Sequence, residues 1–129
     1  MDPRPAFDDP TIRDACLLLR RIVREWLVHD ENRGGPRISS QAFTNERLSV
    51  NVGDDLIAEG FHVEAVLERY PGEGLAAITA QLAREKNQAV CRDPAPPELC
   101  HGLVIGKKTS STCKAFARQA TENLIRTPQ

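Results

Sequence analysis

Residues 100–112, CHGLVIGKKTSST, constrain the fold more tightly than any other stretch. The apolar run between His101 and Gly106 predicts a compact strand over residues 102–105. Lys107 and Lys108 then make a basic turn, and Thr109 or Ser110 is placed to cap a helix. Cys113, Phe116, Ala117, Ala120 and Leu124 recur at helical spacing and mark its buried stripe. A strand that turns through cations into a helix N-terminus brings unpaired N–H groups and positive side chains together, which inclines it to hold an anion.

The same patterns organise the rest of the chain. Asp9-Pro10 reads as a helix start, because Asp can cap and Pro at the first helical position leaves no N–H unpaired. Ile12, Ala15, Cys16, Leu19, Val23 and Trp26 follow at three- and four-residue spacing, predicting a helix to about Glu25 in which Cys16 serves packing. Residues 29–37, HDENRGGPR, read as a loop. Leu48, Val50 and Val52 alternate with Ser49 and Asn51, the pattern of a half-buried strand. A short helix over residues 54–59 is closed by Gly60, and Val63, Val66, Leu67 and Tyr70 form a second helical stripe that Pro71 stops. Residues 75–79 read as a brief strand leading to a helix from Ala80, and residues 89–92 as another strand. The three-proline stretch 93–99 is a rigid approach to the strand at residue 102. The expected fold is therefore α+β. Residues 1–9 form a flexible lead, and residues 10–127 a single domain with a small, mostly antiparallel sheet flanked by an N-terminal and a C-terminal amphipathic helix. This layout resembles small bacterial proteins, but no motif is specific to one family.

Composition limits the functions open to such a domain. A chain of 129 residues suits one modest core. Aromatic residues are only 5% of it, too few for the exposed stacking rows of single-strand binders. A net charge of −1 creates no overall field for nucleic acid. The charges are nevertheless segregated. Residues 54–73 carry six acids against Arg69, whereas the chain from Gly102 onward carries five bases against Glu122. Such asymmetry suits a protein partner or self-association at least as well as nucleic acid. The opening MDPRPAFDDP lacks the apolar run of a signal peptide, and no stretch has the length of a membrane span. The expectation is a cytoplasmic protein with reduced cysteines and no membrane partner.

Several patterns that resemble known chemistry fail on context. Three residues separate Gly102 from Gly106 where a P-loop needs four, and Lys108 occupies the hydroxyl position. Gly72-Glu73-Gly74-Leu75-Ala76-Ala77 matches a loose dinucleotide pattern, but a helix rather than a strand is expected before it. His29, His62, His101, Cys91, Cys100 and Cys113 show no zinc spacing, so neither metal nor cofactor is expected. A Cys100–His29 nucleophile pair would need a spatial meeting that nothing in the chain specifies.

What remains is a set of candidate side chains. His101, held between a rigid approach and a buried strand, is the candidate acid or base if the protein is an enzyme. Arg37, Ser39, Ser49, Lys107 and Lys108 are candidate anion ligands. Lys114 and Arg118, four residues apart on one helix face, are candidates for nucleic-acid contact. The leading expectation is a non-enzymatic binding module, an accessory or regulatory partner of a larger protein. One alternative is a small enzyme on a nucleotide or phosphorylated substrate, using His101 with Arg37, Lys107 and Lys108. Another is duplex binding through the basic C-terminal helix. The enzyme reading requires Arg37, Ser49 and His101 to open onto one cleft.

Overall fold

A computed structural model describes residues 7–129. Its centre is a six-stranded sheet in the order β6-β7-β4-β1-β5-β8. The strands are β1 (Leu17–Ile22), β4 (Arg47–Val52), β5 (Gly74–Thr79), β6 (Ala89–Arg92), β7 (His101–Ile105) and β8 (Leu124–Arg126). Every pairing in it is antiparallel. A separate hairpin joins β2 (Leu27–Asp30) to β3 (Gly35–Ile38). Three helices complete the architecture: α1 (Gly53–Ala58), α2 (Ala80–Glu85) and α3 (Ser110–Glu122). The α+β class, the antiparallel sheet and the C-terminal helix agree with expectation. The N-terminal helix does not.

In place of that helix the chain makes turns over residues 10–15, then β1, then a single 3-10 turn at Arg24–Trp26. Asp9 does act as a local cap, accepting from Thr11 N at 2.9 Å, but the turn it closes is not continued. The reason lies in the position of β1, which is interior in the sheet and covered on both faces. Leu18 and Ile22 enter a core with Phe43 and Phe116, while the adjacent Leu19 enters a second core with Leu56 and Leu67. A strand buried on both sides loses the alternation that marks a strand, and its apolar run fits helical spacing equally well.

Residues 29–37 are also more ordered than a loop. Leu27 pairs with Ile38 and His29 with Pro36 across the hairpin, and Gly34 takes a positive φ of 75° in the turn. Residues 63–67 form a 3-10 turn, not a regular helix, with Leu67 buried. Leu124 leaves the helical stripe because Asn123 ends α3 and the chain turns back to pair β8 with β5. Elsewhere expectation and structure coincide. Leu48, Val50 and Val52 face the core from β4. Thr79 caps α2 and Thr109 caps α3, each through its side-chain oxygen.

Residues 1–6 of the expected lead lie outside the described residues. Its following part is tied to the sheet edge, where Asp9 N donates to Val90 O and Val90 N to Asp8 Oδ1, both at 2.8 Å.

The two layers on the sheet are unequal. One face is covered by α2, α3, the hairpin and the 3-10 turn at Ser40–Phe43, around Phe43 and Phe116 in edge-to-face contact at 6.0 Å. The other is covered by α1 and the turn at Val63–Leu67, whose apolar contacts reach Leu19, Leu75 and Ala77 on β1 and β5. On the β4–β7 part of that face Arg47 and Ser49 are exposed, whereas Asn51 and Leu103 are buried. No helix among the described residues is long and apolar enough to cross a membrane.

Candidate functional site

A hollow on one face of the sheet and two adjoining recesses on the other separate Arg37, Lys114 and Arg118 from Ser49 and His101. On the α3 face, the helix and the hairpin enclose a hollow of about 590 Å³. The hairpin is pinned there because Thr121 Oγ1 accepts from Ile38 N at 2.9 Å and donates to Ala117 O at 2.7 Å. Pinning brings Arg33 and Arg37 of the hairpin to the same hollow as Lys114 and Arg118 of α3, with Asp30 and Glu122 the carboxylates that line it. Arg37 lies 3.6 Å from Asp30, and Arg33 Nε donates to Pro36 O. Lys114 and Arg118 are exposed and have no ion-pair or hydrogen-bond partner among the described residues. Ser39 is engaged locally, accepting from Gln41 N as the cap of the next turn.

The two lysines of the basic turn part company. Lys108 turns inward, and its Nζ donates to the carbonyls of Val104, Glu46 and Gly106 at 2.9, 3.0 and 3.2 Å. Burial pulls this ammonium down to about 8, while the three carbonyls hold the proton it keeps at neutral pH. Its donors are thus committed to the chain and not to an anion. Lys107 is exposed. The N-terminus of α3 is closed by its own cap, with Thr109 Oγ1 accepting from Thr112 N at 3.2 Å.

On the opposite face, β4 and β7 set Asn51 directly across from His101, with Leu19 of β1 next in line. Ser49 lies two residues along the same face. Together with Arg20, Arg21 and Glu98 these side chains line a recess of about 90 Å³. Asn51 and Glu98 also line an adjoining recess of about 250 Å³, bounded by α1, the turn at Val63–Leu67 and residues 97–100. His101 is oriented by Asp93, whose backbone and carboxylate oxygens lie 3.1 and 3.2 Å from Nδ1. Tyr70 donates to Glu98 at 3.0 Å and carries the Arg21 guanidinium 3.5 Å above its ring, while Arg21 also pairs with Glu73 at 2.8 Å. Arg20 donates to the carbonyls of Ala42 and Ser49, and burial pulls it down to about 10.

The expected meeting of Arg37 with His101 does not occur. Ser49 and His101 share a recess, but Arg37 lies on the α3 face with Lys114 and Arg118, because its strand packs against the helix that covers that side. A Cys100–His29 pair is separated in the same way. His29 sits on the hairpin, whereas Cys100 packs against the Leu19 core, where burial pushes its thiol up, away from thiolate. Sequence reasoning missed Arg33, because its stretch read as loop, and Asn51, because an alternating strand assigns its polar side to solvent. Comparison of the chain with family models, curated proteins and solved structures gives no match.

Proposed function

We propose that this chain is a small non-enzymatic binding module whose cationic hollow receives an acidic segment of a partner protein. The observation that carries the reading is the convergence of Arg33, Arg37, Lys114 and Arg118 on one hollow, with Lys114 and Arg118 unpaired. Guanidinium groups present paired N–H donors that match a carboxylate, and an ammonium adds an adaptable point charge. Four cations against two carboxylates steer an acidic chain toward the hollow and fix its register more than they add raw affinity. Nucleic acid is the weaker fit, because no aromatic side chain lines the hollow and the chain as a whole carries a charge of −1. An enzyme acting on a phosphorylated substrate is weaker still, since His101 lies on the face opposite Arg37, Lys114 and Arg118. The reading places the module in the cytoplasm, with its four free cysteines as thiols.

Fluorescence anisotropy of a labelled glutamate-rich peptide tests the proposal. The wild-type chain is expected to bind it, with affinity falling as salt is raised. The Lys114→Glu/Arg118→Glu double variant is expected to lose about tenfold or more in affinity while melting close to wild type. Absence of binding by the wild type, or binding indifferent to the charge reversal, would overturn the reading. Tighter binding of duplex DNA under the same conditions would replace the acidic partner with nucleic acid.

A further inference from the structure

We infer that the recess on the opposite face is a second site, anchored by Asn51, for a small flat heterocycle that carries an amide-like edge. Asn51 is only 9% exposed, yet its carboxamide has no hydrogen-bond partner among the described residues. Other buried polar side chains are engaged: Thr112 with Thr109, Thr121 with Ile38 and Ala117, and Gln88 through its Nε2 with Lys86 and Lys107. Gln88 Oε1 is the one fully enclosed unpartnered side-chain atom among the described residues, so the Asn51 amide remains reachable from the recess it lines. A reachable amide on a largely buried side chain, with no protein partner, is a group whose hydrogen bonds a ligand can complete.

The surrounding groups define what that ligand presents. The Asp93 carbonyl can only accept, so His101 donates to it through Nδ1, and Nε2 is left for a ligand. Glu98 accepts from Tyr70 through Oε1, and its second oxygen is a further acceptor. Asn51 adds a donor and an acceptor side by side. The guanidinium groups of the smaller recess are already engaged, Arg21 by Glu73 and Tyr70 and Arg20 by two carbonyls, whereas Arg69 of the adjoining recess stands exposed among Glu59, Glu68 and Glu98. Three carboxylates against Arg69 disfavour an anion, whereas a primary amide or an aminated nitrogen heterocycle matches Asn51, His101 and Glu98. The adjoining recess of about 250 Å³ supplies an apolar bed from Leu56, Phe61, Val66 and Leu99. Phe61 and Leu99 are 55% and 67% exposed, so a ring lying there would cover apolar surface now open to water.

Thermal melting with adenine, nicotinamide and benzoate tests this inference on the whole chain. Adenine or nicotinamide at millimolar concentration is expected to raise the melting temperature of wild type, and benzoate to leave it unchanged. Asn51→Leu removes the unpaired amide at nearly constant volume. That variant is expected to melt higher than wild type without ligand and to lose the ligand-induced rise. In the wild type, the Asn51 side-chain amide resonance is expected to move on titration, a readout that does not depend on the variant folding. A lower melting temperature for Asn51→Leu, or no rise in wild type with either heterocycle, would overturn the inference. So would a rise with benzoate equal to theirs. Peptide binding at the α3 face is expected to be unchanged in Asn51→Leu, so the two sites can fail separately.

Discussion

The Lys108 ammonium lies within 3.2 Å of three backbone carbonyls, at the point where the chain passes from β7 to α3. Lys107, its neighbour, is exposed to solvent. Sequence reasoning grouped both as anion ligands because adjacent lysines in a turn look alike. Which of them folds inward depends on the path of the chain through Gly106, where φ is 153°. Replacing Lys108 with Met takes the ammonium donor from three carbonyls, of which Glu46 O keeps the Gly106 N–H at 3.0 Å, and the expected cost is about 1–3 kcal/mol, read as a lower melting temperature. Peptide binding at the α3 face is expected to be unaffected, and Lys107→Ala to change neither quantity. A Lys108→Met variant as stable as wild type would show that the carbonyls are satisfied by water. Asn51 poses the converse problem, a side chain whose polarity matches a surface strand but which the fold encloses.

Among the elements, β1 shows where pattern reading loses its footing. Its apolar residues enter two cores, so no single face reports its geometry. β4 buries Leu48, Val50 and Val52 and leaves Arg47 and Ser49 exposed beside them, which is why its bounds and buried face were legible. The segment that precedes β1 is held by charge instead of helical bonding. Arg92 bridges Asp9 and Asp55, and Arg13 pairs with Asp54 at 2.6 Å. Hydrogen bonds from Thr11 hold the Asp9 carboxyl below its usual range, and the hydrogen bond from Arg13 does the same for Asp54. A carboxyl depressed in the folded state contributes stability that is complete above its unfolded pKa of about 4 and is lost as pH falls through the folded value. Melting temperature is therefore expected to drop on acidification below about pH 4, and to drop less in Asp54→Asn, which has already lost its share. Equal acid sensitivity in the two proteins would remove Asp54 from this account.

For the molecule as a whole, the sheet acts as a partition. Its α3 face carries the hollow with Lys114 and Arg118, and its other face carries the recess with His101, Ser49 and Asn51. The class of fold was legible because turn residues, caps and one clean strand are local signals. Thr109 and Thr79 announce their helices through a hydroxyl three residues before the N–H it accepts from. The division of site residues was not legible, because it depends on which face each layer covers. Arg37 and Lys114 are far apart in sequence and line one hollow only because Thr121 fastens the hairpin to α3. A titration of the uniformly 15N-labelled chain with the glutamate-rich peptide, followed by amide chemical shifts, tests this partition most directly. Perturbations confined to the backbone around Arg33, Arg37, Lys114 and Arg118, with Ser49, Asn51 and His101 unmoved, are the predicted result. Shifts centred on Asn51 and His101, or spread equally over both faces, would contradict it.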